Sequence, residues 1–252
     1  MPQQPSTPVN DRRHIGGSGP ADRPPDTASS TDPLRLGFLI PSPNVAFERD
    51  ARTALPNWAS AHVSRVKLQG PNATVLPAEF QRAAEEIADV RPHAICYACS
   101  ADTMHNQEQN EELRQLLEAT CGCPATTLGE ALVQELGLIG TRVALLAPYD
   151  EALTQQEAGF LEDRGFSIVR KRALALDMRR PGSLMSPEEI AEIACTMDGP
   201  DLDAIVIACA AFRGAEAVPL IATRTATPVL AVNSVSLRAA LALSVTAPIS
   251  PS

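Results

Sequence analysis

The chain contains a degenerate internal repeat. Leu36-Gly-Phe-Leu-Ile-Pro-Ser-Pro-Asn44 lies over Val143-Ala-Leu-Leu-Ala-Pro-Tyr-Asp-Glu151, so that Pro41 matches Pro148 at a separation of 107 residues. Ala94-Ile-Cys-Tyr-Ala-Cys99 lies over Ala204-Ile-Val-Ile-Ala-Cys209 at a separation of 110, and Pro124 lies over Pro228 at 104. Three landmarks in one order at nearly constant spacing restrict the chain to two copies of one supersecondary plan. The plan is α/β: short apolar runs alternate with stretches of helical period, the pattern of parallel strands joined by crossover helices.

Strands are expected at Leu36 to Ile40, Ala61 to Val66, Ala94 to Ala98, Arg142 to Ala147, Ser167 to Lys171, Ala204 to Ala208 and Val229 to Val232. Pro77 to Val90 places Phe80, Ala84, Ile87 and Ala88 on one helical side, and Gln107 to Thr120 does the same with Leu113, Leu116 and Leu117. Ser186-Pro187-Glu188-Glu189 reads as a helix start with a capping box, and Gly165 as the cap that ends the Leu153 to Arg164 helix. The expected organisation is two half-domains, residues 34–140 and 141–248, with parallel sheets related by a pseudo-twofold axis. Residues 1–33 carry seven prolines among Ser, Thr, Gly and Asp with little to bury, and are expected to form a disordered extension.

Ligands of open parallel sheets sit beyond the carboxyl ends of the strands, so two such ends facing each other would enclose a site. Cys99 and Cys209 each end a buried-type strand and precede a turn. One such cysteine is ordinary core content; two at repeat-equivalent strand ends point to chemistry. Helix starts just after them would lower the thiol pKa from its usual value of about 8.5 toward neutrality. A thiol so poised serves as base, acid or nucleophile, and one on each side of a cleft suits a reaction in which a proton is added and removed. Asn44 and Tyr149 stand at the matching ends of the other repeat strands and offer directional donors for a carboxylate; Ser42, Ser100 and Ala210 join them at the same strand ends. His62-Val-Ser-Arg65 reads as a mainly structural polar patch.

The remaining cysteines differ. Cys96 points into the core if Cys99 ends the strand, Cys121-Gly-Cys123 lacks histidines at zinc spacing, and Cys195 lies on a helix. No metal site is expected. The chain has no G-x-G-x-x-G or phosphate loop, so no nucleotide cofactor is expected either.

Leu39-Ile-Pro-Ser-Pro-Asn44 with Glu48, His62-Val-Ser-Arg65, Tyr97-Ala-Cys99, Ala147-Pro-Tyr149 and Ile207-Ala-Cys209 together resemble the successive signatures of maleate cis-trans isomerases. These belong to the aspartate/glutamate racemase superfamily, which includes arylmalonate decarboxylase. The resemblance spans about Leu34 to Leu243. It implies the racemase-like fold and a cofactor-independent isomerase of a small carboxylic acid, with Cys99 adding to a double bond and Cys209 handling the proton. Asn44 and Tyr149 match the family's carboxylate-binding asparagine and tyrosine. Amino-acid or hydantoin racemase and arylmalonate decarboxylase-like lyase are the alternatives within the superfamily, and a non-enzymatic carboxylate-binding protein is the alternative of another class. Cys99 weighs against the lyase, whose first cysteine position is not a thiol. The family's second asparagine falls at Met178, which donates no hydrogen bond, so that Arg179 or Arg180 substitutes or the substrate differs there.

The balance of 30 Asp+Glu against 21 Lys+Arg gives a net charge of −9 and no basic stripe, which argues against nucleic acid. No apolar run is long enough for a membrane span or a secretory signal, and six scattered cysteines suit a reducing compartment, so a cytoplasmic protein is expected. The resemblance also implies a homo-oligomer.

Overall fold

The computed structural model describes residues 32–69, 74–104, 107–177 and 185–246. Most of the amino-terminal extension and Met178, Arg179 and Arg180 lie outside the described residues.

The first half runs β1 (Leu34–Pro41), α1 (Phe47–Ala54), β2 (Ala59–Val66), the small hairpin β3 (Leu68–Gln69) and β4 (Thr74–Val75), then α2 (Pro77–Ala88), β5 (Ala94–Tyr97), α3 (Ser100–Thr103), α4 (Gln107–Cys121), β6 (Ala125–Thr127) and α5 (Leu128–Gly137). The second half runs β7 (Arg142–Ala147), α6 (Glu151–Glu162), β8 (Ser167–Ala173), α7 (Pro187–Thr196), β9 (Ala204–Ile207), α8 (Gly214–Ala222), β10 (Val229–Ala231) and α9 (Val232–Thr246). Among the described residues these strands form two four-stranded parallel sheets, β2-β1-β5-β6 and β8-β7-β9-β10. The order is the same in both, which makes the internal repeat a repeat of structure.

Strand sequence follows position in the sheet. The inner strands β5 and β9 are buried at every residue, and β1 and β7 at nearly every one, because helices cover both sheet faces; they read as continuous apolar runs. The edge strands β2 and β8 are only partly covered and carry charged residues such as Arg65, Arg170 and Arg172. The capping box at Ser186 and Glu189 forms as expected, and Gly165 leaves α6 with a φ of +86°. Strand β6 escapes the periodicity reading because three residues, two of them threonine, carry too little pattern.

The two halves exchange their last helices. Leu128, Leu132 and Leu136 of α5 are buried with Val143 and Leu145 of β7 and Val206 of β9, in the second sheet. Leu237 and Ala240 of α9 pack on Leu36, Phe38, Ile40 and Cys96 of the first. Each leucine so buried contributes roughly 1.5–3 kcal/mol, and Arg238 of α9 pairs with Glu135 of α5 at 2.6 Å. Packing thus ties the halves together and turns the carboxyl ends of β5 and β9 toward one another. Among the described residues no helix is long and apolar enough to cross a membrane.

Candidate active site

Cys99 follows β5 and is the N-cap residue of α3, whereas Cys209 stands two residues beyond β9 with a φ of +74°. A non-glycine residue in the left-handed region carries strain, which surrounding structure must hold in place. The thiols are 2% and 6% exposed. Each borders the core of its own sheet, but the two meet at the junction. The Cys209 amide donates to Ser100 Oγ at 3.3 Å, and Ser100 Oγ is also hydrogen-bonded to Tyr149 Oη at 3.0 Å. The ring of Tyr149 packs against the cores of both sheets, and its hydroxyl reaches the Cys209 sulfur. Either thiolate would feel the other, since the Cys209 charge opposes ionisation of Cys99.

Both thiols are held as neutral S–H groups, contrary to the lowering that helix starts would bring. Burial pushes the Cys99 thiol well up, with the Asp102 carboxylate adding to it, and pushes Cys209 up to about 11. The helix effect is weak here for a geometric reason: α3 has only four residues, and α8 does not start until Gly214. Desolvation therefore wins. The amides that do favour thiolate are those of Asp102 at Cys99 and of Ala211 and Phe212 at Cys209. The Ala210 carbonyl is fixed by Asn233 Nδ2 at 2.9 Å, and the same nitrogen donates to Asp50 Oδ2 at 2.6 Å, locking the turn after Cys209.

Asn44 is fully buried at the end of β1, next to β5. Its Oδ1 accepts from the amides of Ala46 and Phe47 at 2.9 and 3.1 Å, while Nδ2 has no protein partner. One face of the amide is thus committed to the turn and the other is a spare buried donor. Arg65 holds this turn from outside, donating to the carbonyls of Asn44 and Ser42 at 2.7 and 3.0 Å and pairing with Glu48. The His62 to Arg65 patch is accordingly structural, and His62 itself bonds Ser60 at 3.0 Å. Ser42 is exposed, and the structure does not bring it to the thiols.

Four further residues, Tyr97, Asp102, Glu157 and Asp50, complete the site. Tyr97 donates to Asp102 Oδ2 at 2.6 Å, and its hydroxyl also meets the Cys99 sulfur. Glu157 of α6 is 0% exposed, and neither carboxylate oxygen has a protein hydrogen-bond partner. Ser100 lies outside normal hydrogen-bonding geometry but close enough to act on it, and burial pushes the carboxyl up to about 8. Asp50 of α1 lies 107 residues before Glu157, the separation of Pro41 from Pro148, and is likewise buried and pushed up to about 6. The repeat held a signal for both: a carboxylate at the same turn of the equivalent helix.

Among the described residues no cluster of His, Cys, Asp and Glu could hold a metal ion. Cys96 is fully buried in the core, and Cys121, Cys123 and Cys195 are half-buried away from the thiol pair. An open groove of about 780 Å³ along β2 and α2, lined by Glu48, His62, Arg65, Lys67 and Arg82, takes in neither thiol.

The sequence profile of the arylmalonate decarboxylase family matches residues 78–250. A maleate isomerase of Nocardia farcinica is 30% identical over 189 residues, covering 69% of this chain and 75% of the relative. The structure of Nocardia farcinica maleate cis-trans isomerase, as a cysteine-to-serine mutant with a covalently bound succinylcysteine intermediate, superposes with a TM-score of 0.71 at 25% identity, covering 85% of this chain and 94% of that one. A maleate isomerase from Pseudomonas putida, crystallised as a cysteine-to-alanine variant with maleate, has a TM-score of 0.70 at 24% identity, covering 82% and 90%.

Proposed function

Since the chain belongs to the arylmalonate decarboxylase family and is 30% identical to a maleate isomerase of Nocardia farcinica, we propose that it is a cofactor-independent cis-trans isomerase that converts maleate to fumarate with Cys99 and Cys209. The observation that carries the assignment of residues is the pair of buried thiols at equivalent strand ends, joined across the repeat by Ser100 and Tyr149.

The Cys99 sulfur adds to one alkene carbon while the Cys209 S–H gives its proton to the neighbouring carbon. The former double bond is then single and rotates. Cys209 as thiolate takes a proton back, the carbon–sulfur bond breaks, and fumarate leaves. Addition puts charge on the carboxylate next to the carbon being protonated, and donors aimed at it stabilise that state. Asn44 Nδ2 and Tyr149 Oη are the donors we assign to the substrate carboxylates, with Ser100 orienting Tyr149. The amides of Asp102, Ala211 and Phe212 hold the sulfurs. A dry site strengthens each of these contacts.

The family profile supports a second reading, a decarboxylase in which Cys209 alone protonates the product enolate. Proton NMR in deuterium oxide separates the two, using maleate, aspartate, glutamate, hydantoins and substituted malonates on wild type, Cys99→Ser and Cys209→Ser. Isomerisation of maleate that both serine variants abolish supports the proposal; malonate turnover that survives Cys99→Ser supports the lyase. The half-domains 34–140 and 141–248, a homo-oligomeric state, a cytoplasmic location and the absence of nucleic-acid partners belong to the same proposal.

A further inference from the structure

Addition through Cys99 needs a thiolate, and burial keeps that thiol protonated. A group must therefore take the proton as the carbon–sulfur bond forms. The Cys99 sulfur meets the hydroxyl of Tyr97, and the same hydroxyl is bonded at 2.6 Å to Asp102 Oδ2. Asp102 is 3% exposed, and the Val75 amide also supports its carboxylate. Tyr97 is fully buried with its ring edge-on to Phe80, centroids 4.9 Å apart, which holds the ring in place.

We propose that Asp102 is the acceptor of the Cys99 proton, reached through the Tyr97 hydroxyl. The inference rests on Cys99 being the nucleophile. The Cys99 S–H bond breaks and its proton goes to the Tyr97 oxygen; the Tyr97 proton passes to Asp102 Oδ2. The sulfur keeps the electron pair and uses it on the alkene carbon, and the neighbouring carbon takes the Cys209 proton. Asp102 then carries one proton and Cys209 is a thiolate, and elimination reverses every transfer. Burial raises the Asp102 carboxyl above the ordinary carboxylate range, which makes it a better base than an exposed aspartate.

The Cys209 side is built the opposite way. There Tyr149 and Ser100 lead toward Glu157, whose carboxyl is pushed up by burial and whose oxygens make no hydrogen bond of normal geometry. One thiol thus borders a carboxylate that already accepts a hydrogen bond and the other a carboxyl that burial shifts toward its protonated form, which matches one thiol losing its proton as the other delivers one. Around the Cys99 pair, β5 and α3 supply Tyr97 and Asp102, the turn after β9 supplies Cys209, and the end of β7 supplies Tyr149. From α2 and β4 come the Phe80 ring and the Val75 amide.

The test compares the alkylation rate of Cys99 by iodoacetamide across pH, in Cys209→Ser protein, with Asp102→Asn, Asp102→Glu and Tyr97→Phe added singly. As the proton acceptor, Asp102 makes Asp102→Asn slower at neutral pH by about tenfold or more, with Tyr97→Phe slowed likewise and Asp102→Glu partly recovered. A charge that only repels the thiolate predicts the reverse, because removing it lowers the thiol pKa. Faster or unchanged alkylation in Asp102→Asn overturns the proposal. If that variant does not fold, unchanged alkylation in Tyr97→Phe does so. The readout needs no maleate turnover, so slowed alkylation in a protein that leaves maleate untouched would refute the substrate and leave the relay standing.

Discussion

Asn44 performs two tasks with the two ends of one amide, and substitution separates them. Asn44→Asp keeps an oxygen where Oδ1 accepts from Ala46 and Phe47, so the turn's hydrogen bonds, each worth about 0.5–1.5 kcal/mol, are retained. It replaces the unpartnered Nδ2 donor with a second oxygen. A hydrogen bond to a charged group contributes about 1.5–3 kcal/mol. Two carboxylates about 4 Å apart add about 4 kcal/mol of repulsion at an effective dielectric near 20. Asn44→Ala loses both the turn hydrogen bonds and the donor without adding repulsion. The expected pattern is crossed: Asn44→Ala lowers unfolding stability by about 1 kcal/mol and raises the KM for maleate about 10- to 100-fold. Asn44→Asp stays closer to wild type in stability and binds worse than Asn44→Ala. Urea unfolding and steady-state kinetics on the three proteins give both quantities. Wild-type KM in Asn44→Asp would refute the placement of the substrate carboxylate at Nδ2.

Glu157→Gln changes the pH dependence of stability. The folded-state pKa is raised from 4.5 to about 8, so the wild-type contribution is fully present below about 4.5 and is lost as pH rises through about 8, at about 1.4 kcal/mol per unit. Urea unfolding between about pH 5 and 8 should show Glu157→Gln gaining on wild type by a few kcal/mol, and parallel curves would count against a buried neutral acid. At Cys209 the backbone has a φ of +74°; Cys209→Gly should unfold about 1 kcal/mol later than Cys209→Ala, though both lack the thiol, and the reverse order would mean that the turn is unstrained. Gly129→Ala places a Cβ 2.7 Å from the Thr103 carbonyl and 2.9 Å from Phe160 Cζ. Thr103 holds the Cys99 carbonyl at 2.6 Å, so this change should cost about 1–3 kcal/mol and lower kcat; full activity would show that α3 tolerates displacement.

The fold was legible where burial is symmetrical. Strands β5 and β9 are buried at every residue and β1 and β7 at all but one, Arg35 and Arg142, because both faces are covered, and the repeat fixed which of them correspond. The exchange of α5 and α9 was not legible, since an apolar helix face suits either sheet and only the packing of Leu132 and Leu237 decides. The thiols, Asn44 and Tyr149 were found from strand ends. Glu157 was missed because a glutamate between Gln156 and Ala158 reads as the wet side of a helix; its repeat partner Asp50 was the available sign. Tyr97 and Asp102 lie in a four-residue strand and a four-residue helix, too short to carry a periodic signal. The thiol pKa was misjudged in direction because local helix geometry was weighed without the desolvation that only the assembled halves impose.

The division of labour between the thiols is open to direct chemical reading. Cys209→Ser incubated with maleate, quenched, digested and analysed by mass spectrometry should yield a succinyl adduct on the peptide carrying Cys99 and on no other cysteine peptide. An adduct on another cysteine, or unmodified Cys99 in folded protein saturated with maleate, would contradict the account.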